Sequence, residues 1–71
     1  MQYIAINTPT IQLGQLLKKA NIIATGGQAK FFLVDMDVRV NGEREKRRGR
    51  KLVPGDTVEI PGQEPIRVVR S

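Results

Sequence analysis

Six of the eight residues from 44 to 51 are basic: Arg44, Lys46, Arg47, Arg48, Arg50 and Lys51. Like charge at this density repels itself in a folded chain, so it calls for a counter-charge. A nucleic-acid backbone supplies one, because neutralising phosphates releases condensed counterions and makes binding salt-dependent. Arg outnumbers Lys four to two in this run. A guanidinium fork can hold a phosphate through two hydrogen bonds and can also reach or stack on a base. The competing reading is a solvated loop or a nuclear-targeting-like tract.

A second candidate is Thr25-Gly26-Gly27-Gln28. Thr followed three residues later by Gln has the capping-box spacing, so a helix should begin here. A helix start exposes unpaired N–H groups and partial positive charge, which suit a phosphate. Gly26 and Gly27 would let a backbone come close. Lys30, about one turn in, would add a full charge. The plainer alternative is ordinary capping, with a glycine in a left-handed turn.

Other chemistry is poorly provided for. The chain has no Cys and no His. That removes disulfides, Cys-ligated zinc and the commonest acid–base catalyst. Asp35 and Asp37 are two apart and would not converge on a helix. Glu43 and Glu45 sit among arginines and read as surface balance or local salt bridges. No nucleophile–base pair or P-loop spacing is present. The expectation is a protein that is not an enzyme and needs no metal or cofactor.

Charge distribution sharpens the first reading. Lys and Arg total 12 against 7 Asp and Glu, a net charge of +5. Residues 39–51 hold seven basic side chains, Arg39 among them, and two acidic ones, so this stretch carries the whole net charge. Aromatic residues are few: Tyr3, Phe31 and Phe32. Single-strand binders normally offer several stacking platforms. Their scarcity favours a folded or double-helical RNA, recognised by shape and backbone.

The elements that must position these residues follow from periodicity. Ile4 and Ile6 alternate with polar or small neighbours, as in a short strand. Leu13, Leu16, Leu17 and Ala20 fall on one helical face, predicting a helix from about residue 11 to 20. Thr10 is its expected N-cap, or Thr8 with Pro9 in the first turn. Ala29, Phe32, Leu33 and Met36 repeat the pattern, predicting a second helix over about 26–35 packed on the first. Val38 and Val40 then alternate with Arg39, and Asn41-Gly42 signals a tight hairpin turn. Pro54-Gly55 and Pro61-Gly62 mark further turns between strands around Val58, Ile60, Ile66 and Val68. With 71 residues the chain has room for one domain, 1–71, and one modest core. No apolar run approaches a membrane span of roughly 20 residues, and no leader pattern is visible. The expected place is cytoplasmic, with no membrane partner.

Helix, glycine-rich cap and second helix, then Val38-Arg39-Val40-Asn41-Gly42-Glu43 and Pro54-Gly55-Asp56-Thr57-Val58, resemble one family closely. It is the RNA-binding domain named after small-subunit ribosomal protein S-four, also called the alpha-L motif. The likeness covers about residues 11–60. Leu13-Gly14-Gln15-Leu16-Leu17-Lys18, Thr25 to Lys30 and Arg47-Arg48-Gly49-Arg50-Lys51-Leu52 look more specifically like its stand-alone YaaA-like bacterial branch. The resemblance implies an α+β fold, two packed helices against a small, mainly antiparallel β-sheet. It implies structured RNA as partner, ribosomal or transfer RNA, in ribosome association or maturation; a monomer is the separate expectation. Carried residue by residue, the implied contacts are Thr25, Gly27, Gln28 and Lys30, then Arg39 and Asn41. They continue along a basic hairpin arm with Arg44, Lys46, Arg47, Arg48, Arg50 and Lys51. The chain departs from the pattern where many members carry Ser then Arg around residues 25–28.

Two further readings differ in class. One is a ribosome-associated factor that docks on protein, with the basic run as an anchor. The other is a ubiquitin-like sulfur carrier, suggested by the stretch from Leu52 to Ile60. That chemistry needs a C-terminal Gly-Gly, and this sequence ends Val68-Val69-Arg70-Ser71.

Overall fold

The alternating Gln2–Ile6 segment forms β1, and Ile66–Arg70 forms β7 beside it in parallel, with Ile4 opposite Val68. The computed structural model describes all 71 residues. Between these strands run β2 (Ile11–Gln12), α1 (Leu13–Lys19), α2 (Gly26–Asp35), β3 (Arg39–Val40), β4 (Glu43–Arg44), β5 (Lys51–Leu52) and β6 (Thr57–Glu59). The main sheet has the order β1-β7-β6-β3-β4, and all its pairs except β1–β7 are antiparallel. β2 and β5 make a separate antiparallel pair. The α+β class with a mainly antiparallel sheet is therefore as the resemblance implied.

Period-two and period-3.6 patterning meet in one core. Leu13, Leu16 and Leu17 from α1 and Ala29 and Leu33 from α2 pack against Val40, Val58, Ile66 and Val68 of the sheet, all buried. Each fully buried aliphatic side chain contributes about 1.5–3 kcal/mol relative to exposure. This cluster fixes the helices on the sheet and so fixes everything attached to their ends.

The local turns follow their residue types. Asn41 (φ 53°) and Gly42 (φ 88°) are both left-handed and join β3 to β4 as a two-residue hairpin turn. α1 ends on Asn21, also left-handed at φ 61°. The Asn21 amide donates to the Lys18 carbonyl and the Ile22 amide to the Leu17 carbonyl, both at 3.0 Å, the paired bonds of a Schellman ending. α2 occupies the predicted residues, and Gln28 Oε1 accepts from the Ala24 and Thr25 amides at 2.7 and 3.2 Å.

The first helix differs from expectation. It starts at Leu13 rather than about residue 11, and its cap is Gln12 rather than Thr10 or Thr8. Ile11 and Gln12 are instead extended and paired with Leu52 and Lys51. The helix start is satisfied from a distance: the Leu13 amide donates to the Arg50 carbonyl and the Gly14 amide to the Arg48 carbonyl, both at 2.8 Å. Thr8 spends its hydroxyl on the Thr10 carbonyl at 2.8 Å.

Candidate nucleic-acid interface

Those two carbonyls place the basic run. Only Glu43 and Arg44 belong to the hairpin. Residues 45–50 then leave the sheet and fold back across the start of α1, so the expected basic hairpin arm is for the most part a docked loop. Gly14 makes the docking possible. A Cβ at this position would lie 3.3 Å from the Arg48 Cβ and 3.4 Å from both the Arg48 carbonyl oxygen and the Ala29 Cβ. Any larger residue would push the loop away from the helix or the helices apart.

Inside the loop sits one acidic side chain, Glu45, only 6% exposed. Its Oε2 accepts from the Arg47 backbone amide and Nε, both at 3.1 Å. Its Oε1 accepts from Arg47 Nη2 at 3.1 Å and from Arg50 Nη1 at 3.0 Å. The hydrogen bond from the Arg47 side chain, reinforced by its backbone amide and by Arg50, outweighs burial and holds the Glu45 carboxyl at about 2. The Arg47 guanidinium is raised in turn by the Glu45 hydrogen bond and charge.

A second carboxylate, Asp37, gathers the other two arginines. Arg39 Nη2 lies 3.1 Å from Asp37 Oδ2, and Arg44 Nε lies 3.5 Å from Oδ1. Arg44 Nη2 also donates to the Val34 and Met36 carbonyls at 3.3 and 3.4 Å, supplying the cation that the last turn of α2 lacks. Asn41 is engaged too. Its Nδ2 donates to Asp56 Oδ1 at 3.0 Å and its Oδ1 accepts from the Thr57 amide at 2.9 Å.

The candidate residues therefore fall into two groups. Arg39, Arg44, Arg47 and Arg50 each have a carboxylate partner. Lys30, Lys46, Arg48 and Lys51 have no carboxylate within ion-pair distance and are exposed. Of the second group, the docked loop brings Arg48 to the helix starts. Arg48 shares a shallow cleft of about 260 Å³ with Gln12, Gly14 and Gln15 at the start of α1 and Gly26 at the start of α2. Lys30 follows Gly26 by four residues and so lies on the same side of α2.

The two helix starts at this cleft differ. That of α1 is closed by the Arg48 and Arg50 carbonyls. At α2 the Gly26 and Gly27 amides donate to no protein acceptor. Neither glycine has positive φ, and a Cβ on Gly26 would meet nothing within 4 Å. Backbone conformation and internal packing thus give no reason for glycine here. The open side faces outward. Thr25, Gly27 and Gln28 are likewise exposed.

The basic loop docks beside an open, glycine-rich helix start where the resemblance implied a hairpin arm, and the family model for the S4 domain matches residues 4–69. The chain belongs to the S4 domain family. A Bacillus subtilis (strain 168) protein named "Probable ribosome maturation protein RlbA" is 53% identical over 66 residues, covering 93% of each chain. An Escherichia coli (strain K12) protein named "Putative RNA-binding protein YbcJ" is 37% identical over 54 residues, 76% of this chain and 77% of that one. The S4 domain assignment displaces the sulfur-carrier reading.

Two features of this S4 domain were not legible as functional in the sequence. Glu45 read as surface balance or a local salt bridge; the salt bridge is there, but at a buried carboxylate that organises the loop. Gly14 carried a usable signal, since a glycine inside a helical pattern suggests a close approach. Its partner, the Arg48 backbone 34 residues away, could not be named from spacing.

Proposed function

We propose that this S4 domain binds structured RNA without catalysing a reaction, with ribosomal RNA as its target, in ribosome association or maturation in the cytoplasm. The contact surface consists of Lys46, Arg48 and Lys51 on the docked loop with Thr25, Gly26, Gly27 and Lys30 on the first turns of α2. Arg47 adds its outward donors at the rim. Arg39, Arg44 and Asn41 hold the neighbouring hairpin and helix end in place. Arg50 braces the loop from within.

One observation carries the reading: Arg48, without a carboxylate partner, stands beside the open amides of α2. A phosphate there would be met by backbone N–H groups, a guanidinium and the nearby Lys30 ammonium together. The names of the two relatives agree with RNA and with the ribosome as its setting. With only two phenylalanines and one tyrosine in the chain, shape and backbone contacts suit it better than serial base stacking.

The test is filter binding of protein-free ribosomal RNA across a salt series. Replacing Lys46, Arg48 and Lys51 together by Gln should weaken binding across sequences and reduce the log–log salt slope by about 2–3. An unchanged slope would remove the loop from the contact. This set is cleaner than one that includes Arg47 and Arg50, whose loss would also strand the buried Glu45 charge.

A second reading, docking on a ribosomal or assembly protein, is favoured by the outer face of α2. Phe31 and Val34 are 69% and 56% exposed there, opposite the core-facing Ala29 and Leu33. Replacing both by Ser should leave RNA binding intact and lower association with ribosomal particles if this face meets protein.

A further inference from the structure

We infer that Glu45 is a positioning residue of the RNA contact: its carboxylate holds Arg47 outward and braces the loop that carries Arg48, so that an acidic residue strengthens the binding of structured RNA. The inference rests on the RNA-binding reading above and deepens it by naming what organises that site.

Four hydrogen bonds of 3.0–3.1 Å converge on the two Glu45 oxygens. They satisfy the whole acceptor capacity of a carboxylate, as burial of a charge demands. A residue serving only to balance surface charge would be solvated instead. The loop is tied by four further hydrogen bonds. The Glu45 amide donates to the Val38 carbonyl at 3.0 Å, the Arg50 amide to the Arg47 carbonyl at 3.2 Å, and the Arg48 and Arg50 carbonyls cap α1. Glu45 is the one side chain linking both ends of the turn.

Pairing does not withdraw Arg47 from a ligand. Its side chain is 78% exposed. Glu45 engages Nε and Nη2, two of the five guanidinium N–H donors, and three remain free. A free Arg side chain loses substantial rotamer freedom when a ligand immobilises it. Here the two hydrogen bonds to Glu45 restrict the side chain before RNA arrives, which raises affinity without a new contact. Because hydrogen bonding keeps the Glu45 carboxyl far below neutral pH, the clamp is charged wherever RNA binding is measured.

The consequence runs against simple electrostatics, and so it can be tested. Glu45→Gln raises the net charge of +5 by one. If charge alone governed binding, every polyanion should bind more tightly. If Glu45 positions the loop, the variant should bind protein-free ribosomal RNA about tenfold more weakly while holding heparin as well as or better than the parent chain. Ribosomal RNA affinity that is unchanged or stronger, or a loss of equal size on both probes, would overturn the inference. Arg47→Lys provides a second measurement, made on protein whose fold is first verified by circular dichroism. It keeps every charge at an exposed site but loses the fork. Ribosomal RNA binding should fall severalfold with heparin binding unchanged; parental affinity for ribosomal RNA would equally overturn the inference. Failure of the parent chain itself to prefer ribosomal RNA over heparin would instead sink the RNA-binding reading.

Discussion

Acid should weaken this protein through Glu45 first. The carboxyl is held at about 2 in the folded chain against an ordinary value of 4.5. Folding stability linked to it is fully present above pH 4.5, falls as pH drops below that value, and is gone by about pH 2. A shift of two and a half units corresponds to about 3 kcal/mol at most. Arg47 is largely in solvent, so part of this attraction is screened, and about 2 kcal/mol is the better figure. For a domain of this size that is a substantial share of the total stability. The assay is urea unfolding followed by circular dichroism, on the parent chain and on Glu45→Gln, from pH 7 down to pH 2. The stability difference should be about 2 kcal/mol at pH 7, shrink below pH 4.5 and vanish near pH 2. A difference that is constant with pH would mean that Glu45 acts by packing rather than by charge. No difference at pH 7 would refute the clamp itself.

Other perturbations separate the roles further. Asn41→Ala removes two side-chain hydrogen bonds and a residue suited to φ 53°. It should cost about 1–2 kcal/mol in chemical denaturation and leave RNA affinity of the folded protein unchanged. Gly14→Val inserts side-chain atoms where even a Cβ meets the Arg48 backbone at 3.4 Å. It should weaken ribosomal RNA binding and deprotect the Leu13 and Gly14 amides to hydrogen exchange; full protection would show that the loop can accommodate the change. Leu33→Ala, in the middle of the core, should cost about 2–5 kcal/mol in the same unfolding assay. Phe31→Ser, being mostly exposed, should change stability by no more than about 0.5 kcal/mol.

What could be read from the sequence is what short-range physics determines. Apolar residues at helical spacing placed α2 on its observed residues, because burying one face of a helix needs only that periodicity. Asn41-Gly42 gave the hairpin turn, because few residue pairs tolerate two successive positive φ angles. The concentration of all net charge between residues 39 and 51 pointed to a polyanion, and the motif order pointed to the S4 domain family.

Only the tertiary structure decided how that charge is used. Composition shows twelve cations and seven anions. It cannot say which meet, because ion pairing depends on where the backbone brings side chains together. Asp37 and Glu45 claim four arginines, Arg48 is left unpaired in a cleft shared with Gly26, and Glu45 is buried. The beginning of α1 was misplaced for the same reason. Its amides are satisfied by Arg48 and Arg50 carbonyls far along the chain, and no local cap signal records a hydrogen bond formed across the fold. Periodicity and turn chemistry are properties of neighbouring residues; partner choice among charges and amides belongs to the assembled chain.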